Sequence, residues 1–142
     1  MIDQLTVFLP NEPGTLAQMT SVLGDASIQV HALMVSDTAD FGIARIICDT
    51  PHAAARLLAQ RGYRAAATQV CALEVDNVPG GLASILVRLA AARLNVEYAY
   101  CAAIGQRTVD VLKLTGDPVE ARLAQTGLRD LEAADVYVPD AE

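Results

Sequence analysis

The amino-acid sequence repeats itself at an interval of about 66 residues. The segment Asn11-Glu12-Pro13-Gly14-Thr15-Leu16-Ala17 matches Asn77-Val78-Pro79-Gly80-Gly81-Leu82-Ala83. At the same interval, Ile28-Gln29-Val30 matches Leu94-Asn95-Val96, and a later alanine-rich stretch also has a counterpart. Because the matches keep the same order, they indicate a duplicated structural unit. Each half is therefore expected to fold in the same way.

The first half predicts the order strand, helix, strand, strand, helix, strand. Residues 5–9 are β-branched or apolar, which is typical of a strand, and apolar residues from 16 to 23 then recur at helical spacing. Strands are expected at 28–35 and 43–48. The connections are a turn at Thr38-Ala39-Asp40 and a second helix that Thr50 caps, Pro51 begins and Gly62 ends.

The second half predicts the same series. A helical stripe runs from 82 to 89, and strands at 96–101 and 109–114 turn at Gly105-Gln106. Asp117, Pro118 and Glu120 have the spacing of a capping box, and Val136-Tyr137-Val138 is expected to be the last strand. The fold class is α+β. It comprises two ferredoxin-like βαββαβ modules, residues 1–69 and 70–142, each with a four-stranded antiparallel sheet and both helices on one face.

The join between the halves carries no linker. Residues 69–76 match both the last strand of the first half and the first strand of the second half. This segment is therefore either one long continuous strand or two short strands with almost no turn between them.

Composition excludes several classes of protein. Acidic residues outnumber basic ones by 17 to 10, and only 4% of residues are aromatic, which argues against binding to nucleic acid or anionic lipid. The chain shows no apolar run long enough to span a membrane and no secretory signal, so a cytoplasmic location is expected. Cys48, Cys71 and Cys101 are widely spaced, which predicts buried free thiols. With no recognisable catalytic or metal-ligating set, we expect no enzyme activity, cofactor or metal.

The repeated Asn-x-Pro-Gly segment lies where a strand leads into a helix. The first amides of a helix lack internal partners and favour an anion, and glycine allows close approach to the backbone. An asparagine side chain offers both a donor and an acceptor. A free amino acid, with one carboxylate and one ammonium, fits that pairing. The alternative is structural: Asn caps the helix, Pro fixes φ and Gly shapes the turn.

Over about residues 2–138, the two halves resemble ACT domains, the ligand-sensing modules of amino-acid metabolism. The motifs that carry this resemblance are Asn-x-Pro-Gly-x-Leu-Ala after the first strand and Ile28-Gln29-Val30 or Leu94-Asn95-Val96 at the second. The resemblance implies a stand-alone tandem protein with no catalytic domain attached. Such modules bind an amino acid between the first loop of one module and the second strand of a neighbour. The candidate ligand-binding residues are Asn11, Glu12, Pro13, Gly14, Thr15, Leu16, Gln29, His31, Asn77, Val78, Pro79, Gly80, Gly81, Leu82, Asn95 and Glu97.

The serine-sensing ACT module of phosphoglycerate dehydrogenases is matched only in part. Its loop asparagine corresponds to Asn11 and Asn77, and its second-strand asparagine to Asn95 but to Gln29 in the first half. Its histidine before the loop is replaced by leucine and valine, so serine is not supported as the ligand. The second half is expected to hold the more competent site. His31 and Glu97 occupy equivalent repeat positions and are either ligand contacts or part of a polar face.

The expected function is that of a non-catalytic regulatory protein that binds a free amino acid and couples it to the arrangement of its modules. Both faces of residues 28–35 are largely apolar, which predicts a homodimer that buries this surface. A metabolic enzyme is a possible partner. The alternative is an accessory or dimerisation subunit of a metabolic enzyme that keeps the fold and lacks ligand binding.

Overall fold

Six strands and five helices follow one another in the computed structural model, which describes residues 1–37 and 40–142. Of the predicted turn, Thr38 and Ala39 lie outside the described residues. The elements are β1 (Ile2–Pro10), α1 (Thr15–Asp25), β2 (Val30–Asp37), β3 (Phe41–Cys48), α2 (Pro51–Gln60), β4 (Arg64–Glu74), α3 (Gly81–Ala91), β5 (Asn95–Ile104), β6 (Arg107–Thr115), α4 (Val119–Gln125) and α5 (Ala133–Val136).

The segment that the sequence assigns to both halves is one continuous strand. Strand β4 runs for 11 residues, and the strand order is β2-β3-β1-β4-β6-β5. The prediction of two separate four-stranded sheets is therefore wrong in this detail, because a single long strand serves in place of two. The α+β class and the order of elements through α4 agree with the repeat.

The first compact unit comprises Asp3–Thr68 and Ala133–Glu142. Alternate residues of β1 turn inward to meet β3 and the two helices, as the period of a half-buried strand requires. Strand β3 pairs antiparallel with both β1 and β2, and Phe8 lies opposite Ile43. The core of this unit consists of Leu5, Val7, Leu9, Met19, Leu23, Ala44, Ile46, Cys48, Ala54, Ala55 and Leu58.

The second compact unit comprises Met1–Ile2 and Gln69–Glu132. Strand β6 pairs antiparallel with both β4 and β5, and Glu74 lies opposite Val109. This pairing has the same register as Phe8 with Ile43 in the first unit, which confirms the 66-residue repeat at the level of strand pairing. The core of this unit consists of Cys71, Leu73, Ile85, Leu89, Leu94, Leu112, Leu114 and Leu123.

The predicted last strand, Val136-Tyr137-Val138, is wrong. Residues 133–136 form the short helix α5, and the amide of Tyr137 donates to the carbonyl of Ala133 at 2.8 Å. The amide of Val138 donates to Asp49 Oδ1 at 2.8 Å, and its carbonyl accepts the amide of Thr50 at 2.8 Å. Because loop groups satisfy the backbone of Val138, the apolar triplet needs no strand partner.

Two predicted helix caps are also corrected. Thr50 stands at the N-cap of α2, but its φ of 44° is left-handed and its side chain makes no cap hydrogen bond. Pro118, rather than Asp117, is the N-cap of α4, and no side chain caps that helix. Asp140 caps α2 instead, because its carboxylate accepts hydrogen bonds from the amides of His52 at 3.0 Å and Ala53 at 2.8 Å. Within the described residues, no helix is long and apolar enough to cross a membrane.

Candidate functional site

The first helix-start loop connects β1 to α1. The N-cap of α1 is Gly14, whose φ of 86° is left-handed and therefore suits glycine. The hydroxyl of Thr15 donates to the carbonyls of Pro10 at 2.8 Å and Glu12 at 3.0 Å, and so holds the loop against the end of β1. Residues 11–14 are exposed. The loop is thus shaped by its own backbone and one hydroxyl, with its outer surface open to solvent.

The second helix-start loop connects β4 to α3 and has the same backbone geometry. Its N-cap, Gly80, has a φ of 85°. The amide of Val78 donates to the carbonyl of Asp76 at 2.8 Å, and the amide of Gly81 donates to the carbonyl of Val78 at 3.0 Å. A methyl group at Gly81 would lie 2.1 Å from the carbonyl oxygen of Asp76, so only glycine fits there without a shift.

Neither asparagine stands at the N-cap of its helix. Glycine occupies both N-cap positions. The first turn of each helix leaves backbone amides without intrahelical acceptors, and the helix dipole is positive at this end. Each loop therefore offers amide donors for a carboxylate or another small anion.

The second strands, β2 and β5, each contain a bulge at the equivalent place. The register shifts between Val30 and Ala32 in β2, and between Val96 and Tyr98 in β5. The inserted residues are His31 and Glu97, the pair that the repeat aligns. A bulge interrupts the alternation of side chains and re-aims the inserted residue. The regular strand pattern did not indicate either bulge.

His31 has a partner within the first unit. Its Nε2 atom lies 2.8 Å from Asp49 Oδ1, and both side chains are partly buried. Burial by itself disfavours the Asp49 carboxylate. The hydrogen bonds from His31 and from the amide of Val138 outweigh burial and lower the pKa of Asp49. His31 thus helps to hold the C-terminal segment, in addition to any role toward a ligand.

The other second-strand candidates differ from His31 in exposure. Glu97 is exposed, as are Gln29 and Asn95. The side-chain amide of Gln29 donates to the carbonyl of Val30 at 2.9 Å, and that of Asn95 lies 3.4 Å from Thr115 Oγ1. Each of these hydrogen bonds joins the side chain to an atom of its own second strand or of the strand paired with it. The structure thus groups residues 11–16 at the start of one helix and 77–82 at the start of the other, whereas Gln29, His31 and Asn95 form hydrogen bonds elsewhere.

A buried carboxylate in the second unit was not anticipated from the sequence. Asp110 is 1% exposed and lies opposite Leu73 of β4, close to where that strand leads into the second loop. The Cys101 thiol donates to Asp110 Oδ1 at 2.6 Å, whereas Oδ2 has no partner among the described residues. The repeat places Ala44 at this position in the first unit. The sequence does contain a signal for this residue, because the repeat has an acidic residue here where the first unit has a small apolar residue of a buried strand.

The three cysteines are free, and their burial only partly follows the prediction. Cys48 and Cys71 are buried, whereas Cys101 is exposed. Burial raises the pKa of the Cys48 thiol to about 12. The hydrogen bond to Asp110, together with burial, raises the pKa of the Cys101 thiol to about 11. Among residues 1–37 and 40–142, no group of three or more His, Cys, Asp or Glu side chains is arranged to hold a metal ion.

Comparison with known proteins identifies relatives along most of the chain. The family model described as an ACT domain pair matches residues 1–125. The crystal structure of protein BT0572 from Bacteroides thetaiotaomicron is 33% identical, with 96% of this chain and 95% of that chain covered and a TM-score of 0.87. Among curated proteins, no significant match is found.

Two regulatory subunits of aspartate kinase share the fold at lower identity. The ligand-free structure from Thermus thermophilus is 16% identical, covering 87% of this chain and 91% of that chain, with a TM-score of 0.61. The structure from Thermus flavus is 18% identical, covering 88% and 90% respectively, with a TM-score of 0.59.

Proposed function

The chain belongs to the ACT domain-pair family, and we propose that it is a non-catalytic regulatory protein that binds a free amino acid at its helix-start loops. The observation that carries this proposal is the repeated backbone geometry. Gly14 and Gly80 share a left-handed N-cap conformation, with φ of 86° and 85°. Both loops are exposed, and each precedes a helix whose first amides favour an anion.

In this proposal, each loop recognises the two charged groups of an amino acid separately. The carboxylate accepts hydrogen bonds from the first-turn amides, which are Leu82 and Ala83 in the second unit. The side-chain oxygen of Asn77 accepts a hydrogen bond from the ammonium. The second loop is the stronger candidate because Asn95 matches the family pattern on the second strand.

Ligand binding regulates the protein because it is thermodynamically linked to the arrangement of the modules. A ligand that binds one arrangement of the modules more tightly than another shifts the population toward that arrangement. The proposed modules are residues 1–69 and 70–142. The partner that binds one arrangement of these modules in preference to another is a second copy of the chain or a metabolic enzyme. Leu33 and Val35 on β2 are 43% and 45% exposed, and β2 ends the strand order. A homodimer that covers β2 would remove this apolar surface from water.

A thermal-shift screen with the twenty amino acids tests ligand binding. One amino acid, or a few, should raise the melting temperature, because a ligand that binds only the folded state stabilises it. Asn77→Ala and Asn11→Ala should each reduce that shift, and Asn77→Ala should reduce it more because the second loop is the stronger candidate. Flat traces with every amino acid would favour the alternative, an accessory or dimerisation subunit without ligand binding. Light scattering at micromolar concentration tests the dimer separately, and a monomer there would contradict it.

A further inference from the structure

One end of the first unit carries exposed aromatic rings beside an arginine. Phe8 and Phe41 are 37% and 43% exposed, and their ring centroids lie 6.3 Å apart at an angle of 49°. The guanidinium carbon of Arg64 lies 5.1 Å from the centroid of the Phe8 ring. This arrangement orients the arginine by a cation–π contact and leaves its planar fork of donors available to an anion.

Two adjoining cavities open at this place. One has a volume of about 360 Å³ and the other about 390 Å³, and both are lined by Phe8, Pro10 and Arg64. The larger also reaches Arg61 and Tyr63 and adjoins the start of α1 at Thr15 and Gln18, and Asp40 lines the smaller. The volumes are within the range of small-molecule sites, which combine apolar walls with a few polar groups. The surface defined by these residues is called the aromatic cleft below.

The repeat shows what is unusual about the aromatic cleft. In the second unit, Glu74 stands at the position of Phe8, and Arg107 at that of Phe41. Arg129 follows at an offset of 65 from Arg64. Glu74 pairs with Arg129 at 3.1 Å and lies 4.0 Å from Arg107, so these two arginines have a carboxylate partner within the second unit. The first unit replaces the carboxylate with a phenyl ring.

The arginines of the aromatic cleft consequently lack a carboxylate partner. Within the described part of the chain, no Asp or Glu oxygen lies within 4.0 Å of the Arg61 or Arg64 guanidinium. The chain as a whole carries a net charge of −7, so two neighbouring unpaired cations are a local exception to its charge. Asp40 lines the smaller cavity, whereas Arg61 lines the larger one. An anion is therefore the complementary ligand at the Arg61 and Arg64 end.

We propose that the aromatic cleft binds a small aromatic carboxylate that lacks an ammonium group. The ring packs against Phe8 and Phe41, which offer edge and face contacts at a suitable separation. The carboxylate accepts paired hydrogen bonds from Arg64, with Arg61 adding charge. This site is additional to the amino-acid site proposed above, because it uses side-chain guanidinium groups and aromatic rings rather than helix-start amides.

Benzoate, with benzamide as its neutral analogue, is the probe for this proposal. Titration calorimetry of the full chain should show saturable binding of benzoate and at least tenfold weaker binding of benzamide, because a charge-assisted bidentate pair is lost. Arg64→Gln should weaken benzoate binding by about tenfold or more for the same reason. Arg129→Gln is the matched control in the second unit and should leave benzoate binding unchanged.

The substitution Phe8→Glu copies the arrangement of the second unit into the first. It should give Arg64 an internal carboxylate partner and abolish benzoate binding. Because Phe8 is exposed, the melting temperature should stay close to that of the wild type, which separates loss of the site from loss of the fold.

Four results would overturn the proposal. They are the absence of saturable benzoate binding to the wild type, equal binding of benzamide, an equal effect of Arg129→Gln and Arg64→Gln, and tighter binding of L-phenylalanine than of benzoate at this cleft. Saturable binding of inorganic phosphate without benzoate would also contradict it, because the rings would then have no part in recognition. The larger cavity adjoins the first helix-start loop at Thr15, but none of these results bears on the loop of residues 77–82, so the amino-acid proposal at that loop and this proposal can fail independently.

Discussion

The C-terminal segment supplies a helix cap that the local sequence of α2 lacks. The Asp140 carboxylate accepts the amides of His52 and Ala53 at 3.0 Å and 2.8 Å, whereas Thr50 at the N-cap makes no side-chain bond. Removing an N-cap acceptor costs about 1 kcal/mol, and a negative charge near a helix N-terminus contributes about 0.3–1 kcal/mol. Asp140→Ala is therefore expected to lower the free energy of unfolding by about 1.5 kcal/mol.

Urea denaturation followed by circular dichroism measures this loss. Asp140→Asn removes the charge, worth about 0.3–1 kcal/mol, and keeps only one of the two oxygens that accept the amides of His52 and Ala53, so its free energy of unfolding should fall between those of the wild type and Asp140→Ala. Hydrogen exchange of the His52 and Ala53 amides should accelerate in Asp140→Ala. Glu142→Ala removes a nearby exposed acid and serves as the control. The reasoning would be refuted if Asp140→Ala matched the wild type, or if Glu142→Ala destabilised the protein equally.

Three further predictions follow from single contacts. Asp49→Asn should lower the free energy of unfolding at pH values above the ordinary Asp pKa of 3.8, and the difference should shrink as the pH falls below 3.8 and through the lowered folded-state pKa; a difference of the same size at pH 7 and at pH 2 would contradict this. Gly81→Ala should cost about 1–3 kcal/mol through a clash with a backbone carbonyl, whereas Gly24→Ala, with open space around it, should gain up to about 1 kcal/mol by chemical denaturation. Alkylation of Cys101 by iodoacetamide should rise with pH to an inflection near 11, and Asp110→Asn should lower that inflection; an unchanged profile would remove the hydrogen bond as its cause.

Most of the fold could be predicted from the repeat, because each local pattern in one half agreed with its counterpart in the other. The apolar stripes of α1 and α3, Pro51 at the start of α2 and Gly62 after its end all lie where their patterns indicated. Residues 69–76 were ambiguous because the same side chains satisfy either strand. The choice of one continuous strand depends on pairing partners far away in sequence, which local propensity does not contain.

The errors share one physical cause. Val136-Tyr137-Val138 has strand-like side chains, but its backbone groups are satisfied by Asp49, Thr50 and Ala133, and composition does not encode such long-range partners. The same applies to Asp140, which caps a helix 87 or 88 positions away in the sequence. The bulges at His31 and Glu97 were invisible because an inserted residue leaves the residue types of a strand unchanged.

Of the candidate site, the loops were predictable and their internal bonding was not. The Asn-x-Pro-Gly motif predicted a strand-to-helix junction in both halves, and the left-handed glycine at each helix start confirms that junction. The spacing did not reveal that glycine, rather than asparagine, stands at the N-cap. The spacing also did not predict the hydrogen bond between His31 and Asp49.

A crystal structure with the amino acid that gives the largest thermal shift tests the central claim most directly. The account predicts electron density for the zwitterion at the loop of residues 77–82, with its carboxylate about 3 Å from the amide nitrogens of Leu82 and Ala83. If the bound amino acid lies elsewhere while water or the protein's own side chains occupy those amides, the helix-start loops are not the ligand site.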